Sequence, residues 1–341
     1  MEWILRMREG ISIVAFTRRG KELADRLAVF LNGTVKPESE NLQNWVEASF
    51  GHCSALIFIG ATGIAVRSIA PVLKGKTQDP AVIVLDEFGR YVIPLLSGHL
   101  GGANMLAEKV ALYLNGTAVI TTATDLNTVF AIDLWAKKQG MTILQPERIR
   151  RVSAKLLAGE SVQIKCPWTI QGNAPRHVSQ GKTDPDVIVD VIKHKEEALQ
   201  LVPQILSLGI GCRKDIPVQK IESEFQCFCA ERKILPQSIA AAASIDRKKT
   251  ETGLLVFCKN HGWPISFYTA EELSSLPGSY TASCFVEKTV GVDNVCERSA
   301  VLSSGGTLLE KKYARNGISF ALACNTPTIN WEWVTTWENS S

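Results

Sequence analysis

The sequence predicts an α/β protein with mostly parallel or mixed sheets and flanking helices. Two main modules are joined by a less regular middle region. Two observations predict this class. Apolar runs of strand length alternate with helix-like stretches of 3.6-residue period, first up to about residue 140 and again after residue 205. Glycine-rich turns also follow several of the strands, as they do in βαβ units.

The first module, residues 1–140, shows the rhythm of a parallel sheet. Its predicted strands are residues 11–16, 55–59, 81–85, 91–95 and 118–121. Predicted helices end near residues 31, 73, 114 and 140. The third and fourth strands flank a polar turn, which predicts one antiparallel hairpin inside an otherwise parallel sheet.

Residues 141–204 form a middle region and linker, with a helix predicted at 146–157 and a strand at 187–192. A second α/β module covers residues 205–326, and residues 327–341 are a tail that is either docked or partly ordered.

Three local signals support the second module. Asn316-Gly317 between two apolar stretches predicts a hairpin. Thr269 followed by Glu272 predicts a helix-capping box. Asp215, two residues before Pro217, is the predicted N-cap of the module's first helix.

Composition excludes several classes of protein. Lys and Arg number 37 against 34 acidic residues, so the net charge of +3 is too small for a dedicated nucleic-acid binder. No apolar run reaches the roughly 20 residues of a membrane span. The start of the chain lacks a signal-peptide pattern, and the nine cysteines form no disulfide framework. We therefore expect a cytoplasmic protein that binds neither nucleic acid nor membrane.

Glycine is concentrated after the predicted strands, where a helix begins. Residues 60–67 could bind an anion through backbone N–H groups and Arg67. Residues 97–104 surround one imidazole, that of His99, with small and polar groups. The candidate binding residues of these two segments are Gly60, Thr62, Gly63, Arg67, Ser97, Gly98, Gly101, Gly102 and Asn104. A tight turn or a helix cap without a ligand explains either segment as well.

Two further segments that follow predicted strands could also bind a ligand. Thr121 and Thr122 precede Asp125, and their hydroxyl and carboxylate groups could orient polar groups of a ligand. In the second module Gly209 and Gly211 end a strand ahead of Arg213 and Lys214. N-capping and a solvated basic turn are the respective alternatives.

None of these loops carries a nucleotide or serine-hydrolase signature. None of them continues to the GK[ST] ending of a Walker loop or matches a GxGxxG fingerprint with its acidic partner, and the sequence has no GxSxG elbow. There is no CxxC or HExxH, so we expect no protein metal site.

The sequence segments around these residues resemble those of one protein family. Residues 57–67, 96–104 and 120–125 are similar to the N-terminal domain of the cobalt-precorrin-5A hydrolase (CbiG) family. Residues 209–214, 267–273 and 289–292 resemble its C-terminal domain, which also occurs alone as a CobE-like protein.

The resemblance implies anaerobic cobalamin (vitamin B12) biosynthesis. The family opens the ring A δ-lactone of cobalt-precorrin-5A and releases acetaldehyde, giving cobalt-precorrin-5B. The cobalt is carried by the substrate, so no cofactor is expected. Expected partners are the small-molecule corrinoid and, as the resemblance allows, other cobalamin-pathway enzymes. The oligomeric state stays open.

Lactone hydrolysis needs a base to activate water and donors to hold the oxyanion. We expect His99 to be the base, with Asp125 orienting it or replacing it. Amides of Gly101 and Gly102, or the hydroxyls of Thr121 and Thr122, are the expected donors. A carrier that binds the tetrapyrrole without reacting is the alternative function.

Overall fold

The computed structural model describes residues 10–75, 78–98, 101–122, 129–181, 183–195, 197–282 and 291–333. Contacts between Cα atoms divide the chain into two compact units, Trp3–Leu134 and Trp135–Ser341. The first unit contains one sheet, and the second contains two large sheets and a two-stranded ribbon. Helices flank the sheets, so the predicted α/β class is confirmed. No described helix is long and apolar enough to cross a bilayer.

Six strands form the sheet of the first unit. They are β1 (Ile11–Ala15), β2 (Thr34–Val35), β3 (Ala55–Ile59), β4 (Ala81–Leu85), β5 (Tyr91–Leu96) and β6 (Thr117–Ala118). Their order is β2-β1-β3-β4-β5-β6. The first four run parallel, β5 is antiparallel to β4, and β6 is parallel to β5. The predicted antiparallel hairpin is therefore confirmed.

Helices cover both faces of this sheet. They are α1 (Arg18–Leu31), α2 (Leu42–His52), α3 (Thr62–Ile69) and α4 (Ala103–Leu114). α1 and α4 share a core with Ile13, Ile57 and Ile83. α2 and α3 pack on the other face, against residues such as Leu56 and Phe58. Because alternate strand residues face different helices, β3 and β4 are buried along their whole length.

The reversal between β4 and β5 gives this sheet two distinct edges. β1, β3 and β4 end at one edge, the β4 edge, which carries residues 60–67 and the turn at 86–90. β5 ends at the opposite edge, the β5 edge, where residues 73–79 lead into β4 and residues 97–104 leave β5. Residues 119–122 run toward the β5 edge because β6 is parallel to β5. Five strand residues separate the edges by roughly 16 Å.

The middle region contains a sheet of its own. After α5 (Ile132–Lys138) it comprises β7 (Met141–Ile143), α6 (Ile149–Leu157), β8 (Val162–Lys165), β9 (Ile170–Gln171), β10 (Val178–Gln180), β11 (Val187–Val189) and β12 (Leu199–Pro203). The sheet order is β10-β8-β11-β12-β7. α6 and β11 were predicted. The other strands escaped the sequence pattern because most have only two to four residues, too few for a periodicity.

The C-terminal sheet follows. Its strands are β13 (Leu206–Cys212), β14 (Ile239–Ile245), β15 (Ile265–Tyr268), β16 (Thr307–Arg315) and β17 (Ile318–Cys324). Its helices are α7 (Val218–Arg232), α8 (Thr252–His261), α9 (Ala270–Ser275) and α10 (Val295–Ser304). The strand order is β15-β14-β13-β17-β16, with β17 antiparallel to both neighbours.

Two local predictions for this module are confirmed, and one is wrong. Asn316 and Gly317, with φ of 49° and 83°, form the turn between β16 and β17. Thr269 and Glu272 form the capping box of α9. Asp215 is not the N-cap of α7, because that helix begins after Pro217, whose ring fixes an extended entry at φ −65° and ψ 141°.

Helix α10 lies directly on β13. A Cβ atom on Gly209 would overlap the carbonyl oxygen of Cys296, so glycine alone permits this approach of helix to strand. Glu297 of α10 is fully buried, and its carboxylate accepts hydrogen bonds from Thr281 N (2.8 Å), Thr281 Oγ1 (2.7 Å) and Lys312 N (2.7 Å). These contacts fix α10 on the sheet.

The tail docks on the middle region as far as it is described. Strand β18 (Ile329–Asn330) pairs parallel with β9, and Trp331 stacks on Trp135 with ring centroids 5.7 Å apart. Trp135 Nε1 donates to Asn330 O at 2.7 Å. Of the two open alternatives, the structure therefore supports docking for residues 329–333.

Gly209→Ala should lower the free energy of unfolding by about 3 kcal/mol, because the added methyl group forces α10 away from β13. Gly211→Ala is the matched control. Its Cβ would meet Ser319 Oγ at 2.6 Å, and that hydroxyl can rotate away, so the cost should stay below about 1 kcal/mol. Urea unfolding followed by circular dichroism measures both. Equal stabilities of the two variants would contradict a packing role for Gly209.

Candidate active site

Residues 97–98 and 101–104 are folded tightly against one another at the β5 edge. Ser97 adopts φ of 56°, and Gly102 caps α4 at φ of 83°. Ala103 N donates to Ser97 O and Asn104 N donates to Gly98 O, each at 3.1 Å. The first two amides of the helix are thereby occupied. Amides of Gly101 and Gly102, which precede the helix, make no backbone hydrogen bond among the described residues.

Small residues are required inside this loop. A Cβ on Gly98 would lie 2.7 Å from Asn104 Oδ1, and one on Gly101 would overlap the side chain of Ser97. The glycines at 98 and 101 therefore let Ser97 and Asn104 approach each other at the β5 edge.

Asn104 joins this loop to the segment that follows β6. Its side chain is only 8% exposed, and its Nδ2 donates to Thr122 Oγ1 at 3.1 Å. Thr122 is half-buried and Thr121 is exposed. Because Thr122 Oγ1 accepts this bond, its own hydroxyl proton stays available to another acceptor. The contact unites two of the four predicted segments.

The predicted base His99 and the predicted carboxylate Asp125 lie outside the described residues. Gly98 and Thr122, the last described residues before them in the chain, both lie at the β5 edge. Sequence reasoning missed a third segment of this edge, residues 73–79. Ser97 Oγ donates to Asp79 O at 2.9 Å and links it to the loop. The turn-forming Asp79-Pro80 dipeptide was the signal that could have revealed it.

Residues 60–67 lie at the opposite, β4 edge. Thr62, Gly63 and Arg67 are exposed, and the Arg67 guanidinium folds back along α3 to Gly63. Gly60 lines an open cleft of about 320 Å³ whose other lining residues are Thr17, Ile59, Ala61, Asp86 and Glu87. Thr17 Oγ1 donates to Glu87 Oε2 at 2.5 Å. The predicted Arg67 clamp is thus not brought to the loop that carries His99.

Gly211, Arg213 and Lys214 lie where β13 ends. Arg213 N donates to Gly317 O at 2.9 Å, so the β16–β17 hairpin holds this turn. Arg213 and Lys214 are exposed, whereas Gly209 is covered by α10. The structure therefore presents the two cations to solvent and gives Gly209 a packing contact.

A buried ion pair supports the same turn. Glu251, 8% exposed, accepts from Ile216 N at 3.2 Å and from Lys248 Nζ at 3.0 Å. Burial raises the pKa of the neighbouring Cys212 thiol to about 11. Cys212 is therefore protonated at neutral pH and is a poor nucleophile. Within the described part of the chain, no three His, Cys, Asp or Glu side chains group to hold a metal ion.

The chain matches known sequences along most of its length. The family models for the cobalamin synthesis G N-terminal region, the cobalamin biosynthesis central region and the cobalamin synthesis G C-terminus match residues 44–125, 130–203 and 206–323.

Two curated relatives and one solved structure are similar to this chain. A cobalt-precorrin-5A hydrolase of Salmonella typhimurium is 34% identical over 344 residues, covering 92% of this chain and 97% of that protein. One of Priestia megaterium is 31% identical over 353 residues, covering 91% and 94%. The solved structure of CobE, a protein from the cobalamin (vitamin B12) biosynthetic pathway, is 27% identical, with coverage of 36% and 91% and a TM-score of 0.33. This chain belongs to the cobalt-precorrin-5A hydrolase family.

Proposed function

We propose that this protein is a cytoplasmic cobalt-precorrin-5A hydrolase. It opens the ring A δ-lactone of its corrinoid substrate and releases acetaldehyde, giving cobalt-precorrin-5B. The observation that carries the proposal is the match to relatives of that name, which extends over 97% of the Salmonella protein. The geometry of the β5 edge supports it, because hydroxyl and amide groups of separate segments meet there.

The reaction needs no oxidant. Water adds to the lactone carbonyl, and cleavage of the ring C–O bond leaves a carboxylate and a hydroxyl. That hydroxyl then becomes the carbonyl of acetaldehyde as it loses its proton and the adjacent C–C bond breaks. The electrons of the broken bond and one proton stay with the macrocycle. The protein therefore has to supply a base and an oxyanion site.

Thr122 is the hydroxyl best arranged to hold the oxyanion. Asn104 Nδ2 occupies one lone pair of Thr122 Oγ1, which turns the hydroxyl proton away from Asn104. Amides of Gly101 and Gly102 precede α4 at the same edge and are the second set of donors. His99 is the proposed base, with Asp125 orienting or replacing it. The exposed Arg213 and Lys214 of the C-terminal module are proposed to bind substrate carboxylates, which are abundant on a corrinoid precursor.

Purified protein should release one equivalent of acetaldehyde from cobalt-precorrin-5A, with loss of the lactone. Trapping the aldehyde with a hydrazine and measuring the corrinoid mass tests this. A carrier would bind the corrinoid and leave its mass unchanged, and that result in folded protein would refute the hydrolase.

His99→Ala should lower turnover roughly 10²–10⁴-fold while the substrate still binds, because the water loses its base. Turnover of the unmodified protein should fall at acidic pH, because a protonated imidazole can no longer accept a proton from water. A rate–pH profile of both proteins measures this. Near-normal turnover of both His99→Ala and His99→Asn would transfer the role to Asp125.

Asn104→Asp should lower kcat roughly 10²-fold with KM nearly unchanged, because a carboxylate would accept the Thr122 proton that the oxyanion needs. Thr122→Val should have the same effect, and the double variant should be no worse than either single one. Thr122→Ser, which keeps the hydroxyl, is the control. Full kcat in Asn104→Asp, with its fold intact by circular dichroism, would exclude this role.

A further inference from the structure

The described residues of the loop at 73–79, which are 73–75 and 78–79, are hydrogen-bonded to one another at the β5 edge. One carboxylate holds it: Asp79 Oδ1 accepts from Lys74 N at 2.9 Å, and Asp79 Oδ2 accepts from Gly75 N at 3.0 Å. Asp79 N and Gln78 N both donate to Gly75 O at 2.9 Å. Both oxygens of Asp79 thus bind backbone amides, and the backbone of Lys74 is held in a defined position ahead of β4.

The same loop is anchored to the proposed reaction site. Ser97 Oγ donates to Asp79 O, and Ala81 N, just beyond the loop, donates to Ser54 O at 3.0 Å. Gly101 packs near Ala81 N, since a Cβ on Gly101 would lie 3.3 Å from it. Residues 73–75 and 78–79 therefore lie beside residues 97–98 and 101–104 at one edge, joined by the Ser97–Asp79 hydrogen bond.

Charge distinguishes this loop. Lys74 is exposed, and no described carboxylate lies within ion-pair distance of its ammonium group. Asp79, the acidic residue beside it, uses its carboxylate on backbone amides. Arg67, the cation expected to clamp the substrate in this module, lies at the β4 edge. The β5 edge thus has one described, unpaired cation beside hydroxyls that are proposed to act on the lactone.

We propose that residues 73–75, together with Gln78 and Asp79, are a third wall of the active site and that Lys74 binds a peripheral carboxylate of the substrate. The inference rests on the proposed function for the identity of the ligand. An ammonium group on a flexible stem suits this task, because it can follow one carboxylate as a point charge without a fixed bidentate geometry. Asp79 acts as a positioning residue, since it contacts only the backbone that carries Lys74.

Binding of the ring-opened product, cobalt-precorrin-5B, tests the proposal without turnover. We expect Lys74→Ala to weaken binding about 10-fold at low salt and to reduce its salt dependence, since an exposed charge pair is screened by salt. Lys74→Arg should restore most of the affinity. Lys36→Ala removes a lysine at the end of β2, at the β4 edge, and is the matched control with unchanged affinity. Absorbance titrations at two salt concentrations measure all four proteins.

The outcomes separate the two proposals. Equal affinities of the unmodified protein and Lys74→Ala would overturn the Lys74 contact, even if acetaldehyde is released normally. A loss in Lys74→Ala that arginine does not restore would also overturn it, because the charge would not be the cause. Corrinoid binding without acetaldehyde release would refute the hydrolase. The titrations would still decide whether Lys74 contacts the corrinoid. Absence of any corrinoid binding would overturn both.

Discussion

The reversal of chain direction between β4 and β5 determines where chemistry can occur in the first unit. Asp86 makes the reversal, since its Oδ1 accepts from Phe88 N at 2.9 Å and its Oδ2 from Tyr91 N at 2.8 Å. Without it β5 would end beside β3 and β4, and the glycine-rich segments of the first unit would share one edge. With it, residues 97–104 and 121–122 lie opposite residues 60–67.

Because the two edges are separate, each must be considered by itself as a site for the substrate. In an open α/β sheet, ligands bind outside the carboxyl ends of the strands where the strand order reverses, and here that position lies between β1 and β3. The cleft there is lined by Asp86 and Glu87, and negative charge is a poor match for a polycarboxylate. The β5 edge instead collects hydroxyls, Lys74 and the amides of Gly101 and Gly102, which bond to no described backbone group, and this set suits hydrolysis of an anionic lactone.

Local signals in the sequence predicted local structure well. The Asn316-Gly317 turn, the capping box of Thr269 and the buried strand at residues 55–59 each depend on a few adjacent residues, and all three are confirmed. A glycine that follows a strand in the sequence can have either of two structural roles. Gly98 permits a loop to close on Asn104, whereas Gly209 permits a helix to approach a strand, and the two sequences look alike.

What the sequence could not predict depends on distant partners. The Asn104–Thr122 contact spans 18 residues, and the Ser97–Asp79 contact also spans 18. Neither contact produces a periodic pattern in the sequence from which it could be predicted. The placement of Arg67 opposite the loop of His99 follows from strand direction alone. In the second unit, Arg213 and Lys214 are the cations proposed to bind carboxylates of the substrate.

Hydrogen–deuterium exchange with and without bound cobalt-precorrin-5B tests most directly whether the β5 edge is the reaction site. Peptides covering residues 73–79, 97–106 and 119–122 should gain protection, whereas those covering 16–19, 60–67 and 86–90 should exchange as before. Protection confined to the second group would place the corrinoid at the β4 edge and contradict the account.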